Sequence, residues 1–280
     1  MHKDGKWAKT LLSLQDEEGK WGQFHSMSQL SDRPVTTEQA LRRLERLGFT
    51  AEDACIQKAV AYLDDCLNGA KVIPDPREKL HNWDIFCSLM FSTWIRRFTP
   101  DNAGANAVAT KWARIVAHAF ENGVYDHEAY VFAYTEEMGL KPNGGRLVDF
   151  VNFYPISLLC GCLDESTQKS LLDYVLNKED GIYYIYERPL SQLPQRFASR
   201  QASRYLAAVE LLAGYAGAKE KLSFVTDWLK SNQNPDGTWD LGAEANDKTY
   251  FPLSDDWRKK ETRIADCTGR ISRLIQTLSE

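Results

Sequence analysis

Apolar side chains recur every three or four residues over most of the chain, the spacing that places them on one face of an α-helix. Alternation of apolar and polar residues is scarce, and residues 181–186 are its best example. The pattern therefore predicts an all-α fold. The helical segments are 7–15, 36–48, 52–66, 79–97, 108–121, 128–163 with a break at 142–145, 166–178, 198–215, 219–233 and 258–278.

Five of these segments run into a turn that contains glycine. The clearest turns are residues 15–21 (Gln-Asp-Glu-Glu-Gly-Lys-Trp) and 233–239 (Gln-Asn-Pro-Asp-Gly-Thr-Trp). Weaker copies surround Gly69, Gly123 and Gly181, so the glycines recur at intervals of 50 to 58 residues. Glycine supplies the positive φ that ends a helix, and the aromatic residue after it can pack back on that helix. Such intervals predict repeated helical hairpins.

The helix, glutamine, acidic glycine turn and aromatic residue resemble the QW repeat of the terpenoid-cyclase and protein-prenyltransferase superfamily. The resemblance implies an α/α toroid of about five helical hairpins, formed by residues 1–280 as a single domain. Helices that precede the glycine turns would form the outer ring, and the helices between them would line the inside. The toroid families usually have six hairpins, so a smaller ring, an open ring and a ring completed by loops are all compatible with this chain.

Composition and charge narrow the class of protein. With 280 residues and 43% hydrophobic content, the chain can bury a large core. Its net charge of -5 argues against a general nucleic-acid surface, which needs a clustered basic face. No stretch approaches the roughly 20 apolar residues of a membrane span, and the N-terminus lacks the apolar core of a signal peptide. We therefore expect a cytoplasmic protein that binds a small-molecule ligand.

The six cysteines form neither a CxxC pair nor a zinc-ribbon spacing, so we predict no metal site and interpret most of them as buried small hydrophobes. The sequence identifies no cofactor. The Asp-x-Asp-Asp acid of class II terpenoid cyclases and the Asp-Asp-x-x-Asp motif of class I enzymes are both absent. The zinc ligands of the prenyltransferases have only a distorted counterpart in Asp266, Cys267 and His81.

Polar residues on the predicted inner helices are the candidates for chemistry. His81, Asp84, Ser88 and Ser92 share one face of an otherwise apolar helix that includes Trp83. This face would line a cavity, or it would be an ordinary solvent-facing stripe. Within the cavity hypothesis, His81 is an acid or base and Asp84 is a carboxylate of the site.

The later inner segments add further candidates. Asp149, with Arg146 and Phe153, forms a second polar stripe, and Pro155 predicts a kink in that helix. Arg200 and Arg204, one turn apart, would clamp an anion or form ion pairs with Asp149 or Glu210. On the last helix we interpret the stripe of polar residues as a solvated face. That stripe consists of Arg263, Asp266, Arg270 and Arg273.

Aromatic residues make up 11% of the chain. Cyclase cavities use such rings to stabilise carbocations, whereas Gly-x-Trp turns use them for packing. We assign Trp21, Trp239, Tyr125 and Tyr183 to packing. The aromatic candidates for a cavity are Trp83, Tyr130, Tyr134, Phe153, Tyr154 and Tyr205.

Two hypotheses remain open at this point. In the first, the chain is an enzyme acting on an isoprenoid diphosphate or a saccharide, with His81, Asp84 and Asp149 as catalytic groups. In the second, it is a binding module that keeps the fold without the catalytic motifs of the families it resembles. The missing motifs favour the second hypothesis, with a ligand held by Arg200, Arg204, Tyr154, Tyr205 and Trp83.

Overall fold

The computed structural model describes residues 2–25, 35–78, 82–147 and 149–279, in which the regular secondary structure is helical and no β-strand occurs. The prediction of an all-α protein is confirmed. The α-helices of the described residues are α1 (Lys6–Leu14), α2 (Thr37–Arg46), α3 (Ala54–Leu67), α4 (Trp83–Phe98), α5 (Ala103–Ala119), α6 (His127–Met138), α7 (Phe153–Leu159), α8 (Glu165–Asn177), α9 (Arg200–Leu212), α10 (Ala218–Lys221), α11 (Ser223–Ser231) and α12 (Lys260–Ser279). The predicted extended piece at 181–186 contributes isolated bridges only, Asn152 to Tyr183 and Ile182 to Tyr186.

The chain divides into two compact units. The first unit comprises 1–109 and 253–255, and the second comprises 110–252 and 256–280. The prediction that residues 1–280 form one domain stays a prediction. Among the described residues, no helix has the length and the apolar character that crossing a bilayer requires.

The core of the first unit forms where α3 packs along α4. Leu63 on α3 and Leu89 and Trp94 on α4 have no exposed surface. Helix α2 begins at Thr36, whose side chain accepts a hydrogen bond from the backbone of Gln39, while the Gln39 side chain accepts one from Thr36 N. This reciprocal capping satisfies two backbone donors that the first turn leaves without partners.

The second unit buries large aromatic side chains between its helices. Helix α7 packs on α9, and α11 packs on α12. Trp112, Tyr134, Tyr154 and Tyr205 are fully buried there. Aromatic rings of this size supply much of the apolar area that a core removes from water.

The two clearest glycine turns have the same hydrogen bonds at equivalent atoms. In the first, Gln15 Nε2 donates to Gly19 O at 2.9 Å, and Trp21 Nε1 donates to Leu11 O at 2.7 Å. In the second, the equivalent distances are 2.8 Å and 2.7 Å. The acceptors there are Gly237 O and Leu229 O, and the donors are Gln233 Nε2 and Trp239 Nε1. Each tryptophan is buried and satisfies a carbonyl at the end of the preceding helix.

The backbone at the five marker glycines has the predicted conformation. All five have positive φ, from 57° to 99°: Gly19, Gly69, Gly123, Gly181 and Gly237. The two tryptophan turns differ in their surroundings. A Cβ on Gly19 would lie 2.4 Å from Lys58 O, whereas the only atom within 4 Å of a Cβ on Gly237 is Gln233 Nε2, at 3.8 Å. The first turn is packed closely against α3, and the second is exposed.

Two local expectations are wrong in part. The predicted break at 142–145 lies between α6 and α7, but Pro155 does not kink a helix, because it lies in the first turn of α7, where a missing N–H costs nothing. The polar stripe of α12 is only partly a solvated face, because Arg273 is exposed but Asp266 and Arg270 are each only 4% exposed. Arg270 is held between the rings of Tyr250 and Phe251, whose centroids each lie 5.1 Å from the guanidinium carbon.

Candidate functional site

The second unit contains a cavity of about 500 Å³ formed by α6, the loop that follows it, and the end of α8. Two sets of side chains line it, and we name them by their chemistry. The aromatic wall consists of Tyr125, His127, Tyr130 and Tyr174, and the charged wall consists of Lys141, Arg146, Asp149, Lys178 and Asp180. The volume is in the range of small-molecule sites in proteins.

Local structure fixes both ends of this cavity. Asp126 caps α6, since its Oδ1 accepts hydrogen bonds from the backbone of Glu128 and Ala129 at 2.8 and 3.1 Å. The cap places His127 and Tyr130 at the first turn of α6. On α8, Tyr174 and Lys178 are four residues apart and therefore lie on the same face, where the Lys178 ammonium is 5.9 Å from the Tyr174 ring centroid.

The aromatic wall is a packed cluster of rings. The Tyr125 and Tyr174 centroids are 4.6 Å apart, and fully buried Phe150 lies 5.3 Å from the first and 5.7 Å from the second. Tyr125 Oη and His127 Nδ1 are joined by a hydrogen bond of 2.9 Å. Burial raises the pKa values of the Tyr125, Tyr130 and Tyr174 phenols above their ordinary range. These rings are therefore neutral and supply hydroxyl groups as donors and acceptors.

In the charged wall, Lys178 and Arg146 are paired with carboxylates. Lys178 Nζ lies 3.1 Å from Asp180 Oδ1 and 3.9 Å from Asp149 Oδ2. Arg146 Nη1 lies 3.0 Å from Glu187 Oε2, and its Nη2 donates to Asp180 O at 2.8 Å. The Arg146 guanidinium also lies over the Tyr183 ring, at 4.6 Å from its centroid.

The pKa values of the two aspartates of the charged wall are shifted in opposite directions. Burial raises the pKa of Asp149, and the positive charge of Lys178 only partly offsets this. Burial also acts to raise the pKa of Asp180, but its hydrogen bond to Lys178 and the charges of Lys178 and Arg146 outweigh burial and lower it. For Lys178, burial acts to lower the pKa, but Asp180 and Asp149 together raise it. The wall thus holds one carboxyl whose pKa is raised and one whose pKa is lowered.

Metal binding finds no support in the part of the chain that the structure describes, where no cluster of three or more His, Cys, Asp or Glu side chains could hold an ion. All six cysteines are free, and four of them are buried.

The sequence-predicted residues of the first unit lie on α4 or just before it. Asp84 is exposed and forms a bidentate ion pair with exposed Arg77, at 2.9 and 2.8 Å. Trp83 is buried and packs near Phe86, with ring centroids 6.2 Å apart. His81 lies outside the described residues.

Of the candidates in the second unit, Asp149, Arg146 and Tyr130 line the cavity, whereas Arg200, Arg204, Tyr154 and Tyr205 do not. Arg200 and Arg204 are exposed on α9, and Arg200 Nη2 donates to Asn246 O at 3.4 Å. Tyr205 is buried and donates through its hydroxyl to Leu190 O at 2.9 Å. Tyr154 is also fully buried, with its ring 5.3 Å from that of Phe153.

Several cavity residues escaped the sequence analysis. Tyr125 was assigned to packing, and Tyr174, Lys178 and Asp180 belong to the helix and turn that carry the weak Gly181 motif. The one indication in the sequence that these residues could share a site was the four-residue spacing of Tyr174 and Lys178 beside that turn. Of the aromatic candidates for a cavity, Tyr130 lines this one.

No protein-family model, no curated protein and no solved structure matches this chain.

Proposed function

We propose that the chain is a divergent α/α toroid of the terpenoid-cyclase type and that it binds a neutral saccharide in the cavity between the aromatic wall and the charged wall. The observation that carries the ligand assignment is the combination of neutral tyrosines on one side with the ion pairs of Lys178 and Arg146 on the other. The catalytic motifs of the cyclases play no part in this proposal.

Support for the repeat architecture comes from the glycine turns. Two of them share both side-chain hydrogen bonds at equivalent atoms, and all five marker glycines have positive φ. The closure of the hairpins into a ring is part of the proposal.

A pyranose ring matches both walls of the cavity. Its faces carry C–H bonds that can pack on a tyrosine ring, and its hydroxyl groups need hydrogen-bond donors and acceptors in equal measure. Lys178 and the tyrosine hydroxyls can donate, while Asp149 and Asp180 can accept. Sugar hydroxyls that lose hydrogen bonds to water on binding would then gain hydrogen bonds to these groups.

An isoprenoid diphosphate fits this cavity less well. A diphosphate requires cations that are not already paired with carboxylates, or a carboxylate cluster that holds magnesium. Here Lys178 lies beside two carboxylates and Arg146 is paired with Asp180 and Glu187. Lys178 and Arg146 therefore offer a diphosphate little net attraction, and Lys141 is the third cation of the wall.

Calorimetric titration of the purified chain tests this proposal. The panel contains cellobiose, maltose, xylobiose, mannobiose and diacetylchitobiose as neutral saccharides, digalacturonic acid as an acidic one, and farnesyl diphosphate with magnesium. We expect binding of at least one neutral saccharide. In an unfolding measurement, that saccharide at a concentration 100 times its dissociation constant should increase the free energy of unfolding by about 2.7 kcal/mol.

Variants identify where the saccharide binds. Tyr174→Ala removes half of the closest ring pair of the aromatic wall, so we expect affinity to fall at least about tenfold, an amount within the range of such aromatic contacts. Asp173→Asn is the matched control, because Asp173 is exposed on the same helix and pairs with Lys221. If farnesyl diphosphate is the one member of the panel that binds, the proposed saccharide ligand is wrong and the isoprenoid alternative is favoured.

A further inference from the structure

Two carboxylates of the charged wall lie close to each other on the same cavity. Asp149 precedes α7, and Asp180 lies in the turn after α8. Lys178 Nζ contacts both, so Asp149 Oδ2 and Asp180 Oδ1 are at most about 7 Å apart, the two contact distances added. Inverting glycosidases hold their two carboxyls about 6.5 to 9.5 Å apart, and this limit reaches the lower end of that range.

The surroundings of the two carboxyls differ. Asp149 shares its part of the cavity with the rings of Tyr125, Tyr130 and Tyr174, and its charge acts on all three phenols. Asp180 contacts Lys178 at 3.1 Å and Arg146 Nε at 3.3 Å. Their pKa values move apart accordingly, upward for Asp149 through burial and downward for Asp180 through its cations, against burial. In an active site, the carboxyl with the raised pKa is suited to act as the acid and the carboxyl with the lowered pKa as the base.

On the premise that the cavity binds a saccharide, which is the proposed function, we infer that the cavity hydrolyses glycosidic bonds, with Asp149 as the general acid and Asp180 as the base that activates water. Asp180 is assigned to water because the two cations beside it keep its carboxylate ionised, and a base must be ionised to take a proton. Lys178 is a positioning residue, since it contacts both carboxylates.

The reaction is balanced by one water molecule. The proton of the Asp149 carboxyl passes to the glycosidic oxygen while the bond between that oxygen and the anomeric carbon breaks, and the bonding electrons stay on the oxygen. The oxygen of the water forms the new bond to the anomeric carbon, and Asp180 takes a proton from that water. Return of this proton through solvent to Asp149 restores both groups.

The test uses the full chain, the disaccharides of the binding panel, and the 4-nitrophenyl glycosides of the same sugars. We expect Asp149→Asn to slow hydrolysis of the disaccharide at least about a hundredfold but hydrolysis of the nitrophenyl glycoside less than about tenfold, because nitrophenolate leaves without a proton from an acid. Asp180→Asn should slow both substrates at least about a hundredfold, since the water then lacks its base. Asp173→Asn should leave both rates unchanged.

The outcomes separate this inference from the proposed function. A chain that binds a neutral saccharide but hydrolyses neither substrate overturns the inference and leaves the binding function standing. A chain that binds no saccharide overturns both. Equal losses on the two substrates in Asp149→Asn, with saccharide affinity retained, would exclude Asp149 as the acid.

Discussion

Arg270 on α12 and Glu210 on α9 form an ion pair that is largely buried, with side chains 4% and 15% exposed and with Arg270 Nε 2.6 Å from Glu210 Oε1. Arg270 also donates to the hydroxyl and the carbonyl oxygens of Ser203, both at 2.9 Å. The guanidinium thus connects two helices of the second unit through charge-assisted bonds. Sequence analysis assigned Arg270 to solvent and considered Glu210 a partner for a different arginine.

Removing Glu210 should destabilise the second unit strongly. In Glu210→Leu the Arg270 charge stays buried without its counter-ion, and we expect the free energy of unfolding to fall by about 3–5 kcal/mol. The double variant Glu210→Leu, Arg270→Met removes both charges and should recover much of this loss. Urea unfolding followed by circular dichroism measures both variants. A double variant no more stable than Glu210→Leu would contradict this account.

Alanine at the two equivalent glycines should have unequal effects. Gly237→Ala places a Cβ in open space, so its cost is the positive φ alone, roughly 1–2 kcal/mol. Gly19→Ala has the same conformational cost and also places its Cβ 2.4 Å from the backbone oxygen of Lys58, so α3 must shift. Unfolding curves should therefore show a clearly larger loss for Gly19→Ala. Equal losses would mean that the first turn does not need its contact with α3.

The stability of the second unit should depend on pH through Asp149. Its pKa is raised by burial in the folded state, so the folded chain holds this proton to higher pH than the unfolded chain does. The contribution of Asp149 is fully present below its ordinary pKa of 3.8 and is lost as pH rises through the folded value. Lys178, Asp180, His127 and the tyrosines of the aromatic wall share the cavity with this carboxyl.

Asp149→Asn isolates that contribution, because an amide does not titrate. The free energy of unfolding of the variant, relative to the parent chain, should increase as pH rises from about 4 to about 7. Parallel urea titrations across this interval give the difference at each pH. A constant difference, or one that decreases with pH, would rule out a raised pKa at Asp149.

Arginines on α9 should have no part in ligand binding. Arg204 is exposed and does not line the cavity, so Arg204→Ala should change saccharide affinity by less than about twofold, the scale of a distant surface substitution. Calorimetric titration with the bound saccharide of the panel measures this. A tenfold loss of saccharide affinity in Arg204→Ala would indicate that the ligand binds at the surface of α9 and not in the cavity.

Helices were predictable from the sequence because their determinants are local. Apolar spacing and the glycine turns located α1, α3, α8 and α11 to within a few residues. The segment 128–163 was harder, since Asp149 and Arg146 have helical spacing to Phe153 but α7 begins only at Phe153. Asn152 supplies the reason, because its side chain accepts a hydrogen bond from Tyr154 N and caps the helix there.

The site was only partly predictable because its residues meet through tertiary packing. Asp149 and Tyr130 were candidates, whereas the pairing of Lys178 with both aspartates requires the end of α8 to approach the loop before α7. Asp84 and Arg204 have the residue types of a site, but the structure exposes both of them. A spacing within one helix identifies a face and does not identify what packs on that face.

The two tryptophan turns also bear on how the chain folds. Each closes through a hydrogen bond that spans four residues and one that spans ten, and both join positions within one turn and its preceding helix. Closing such short loops loses little chain entropy, and contacts of small sequence separation favour rapid folding. A duplicated hairpin would therefore carry its own closing contacts, and a chain of this kind could lengthen by whole hairpins while each new one folded on the one before it.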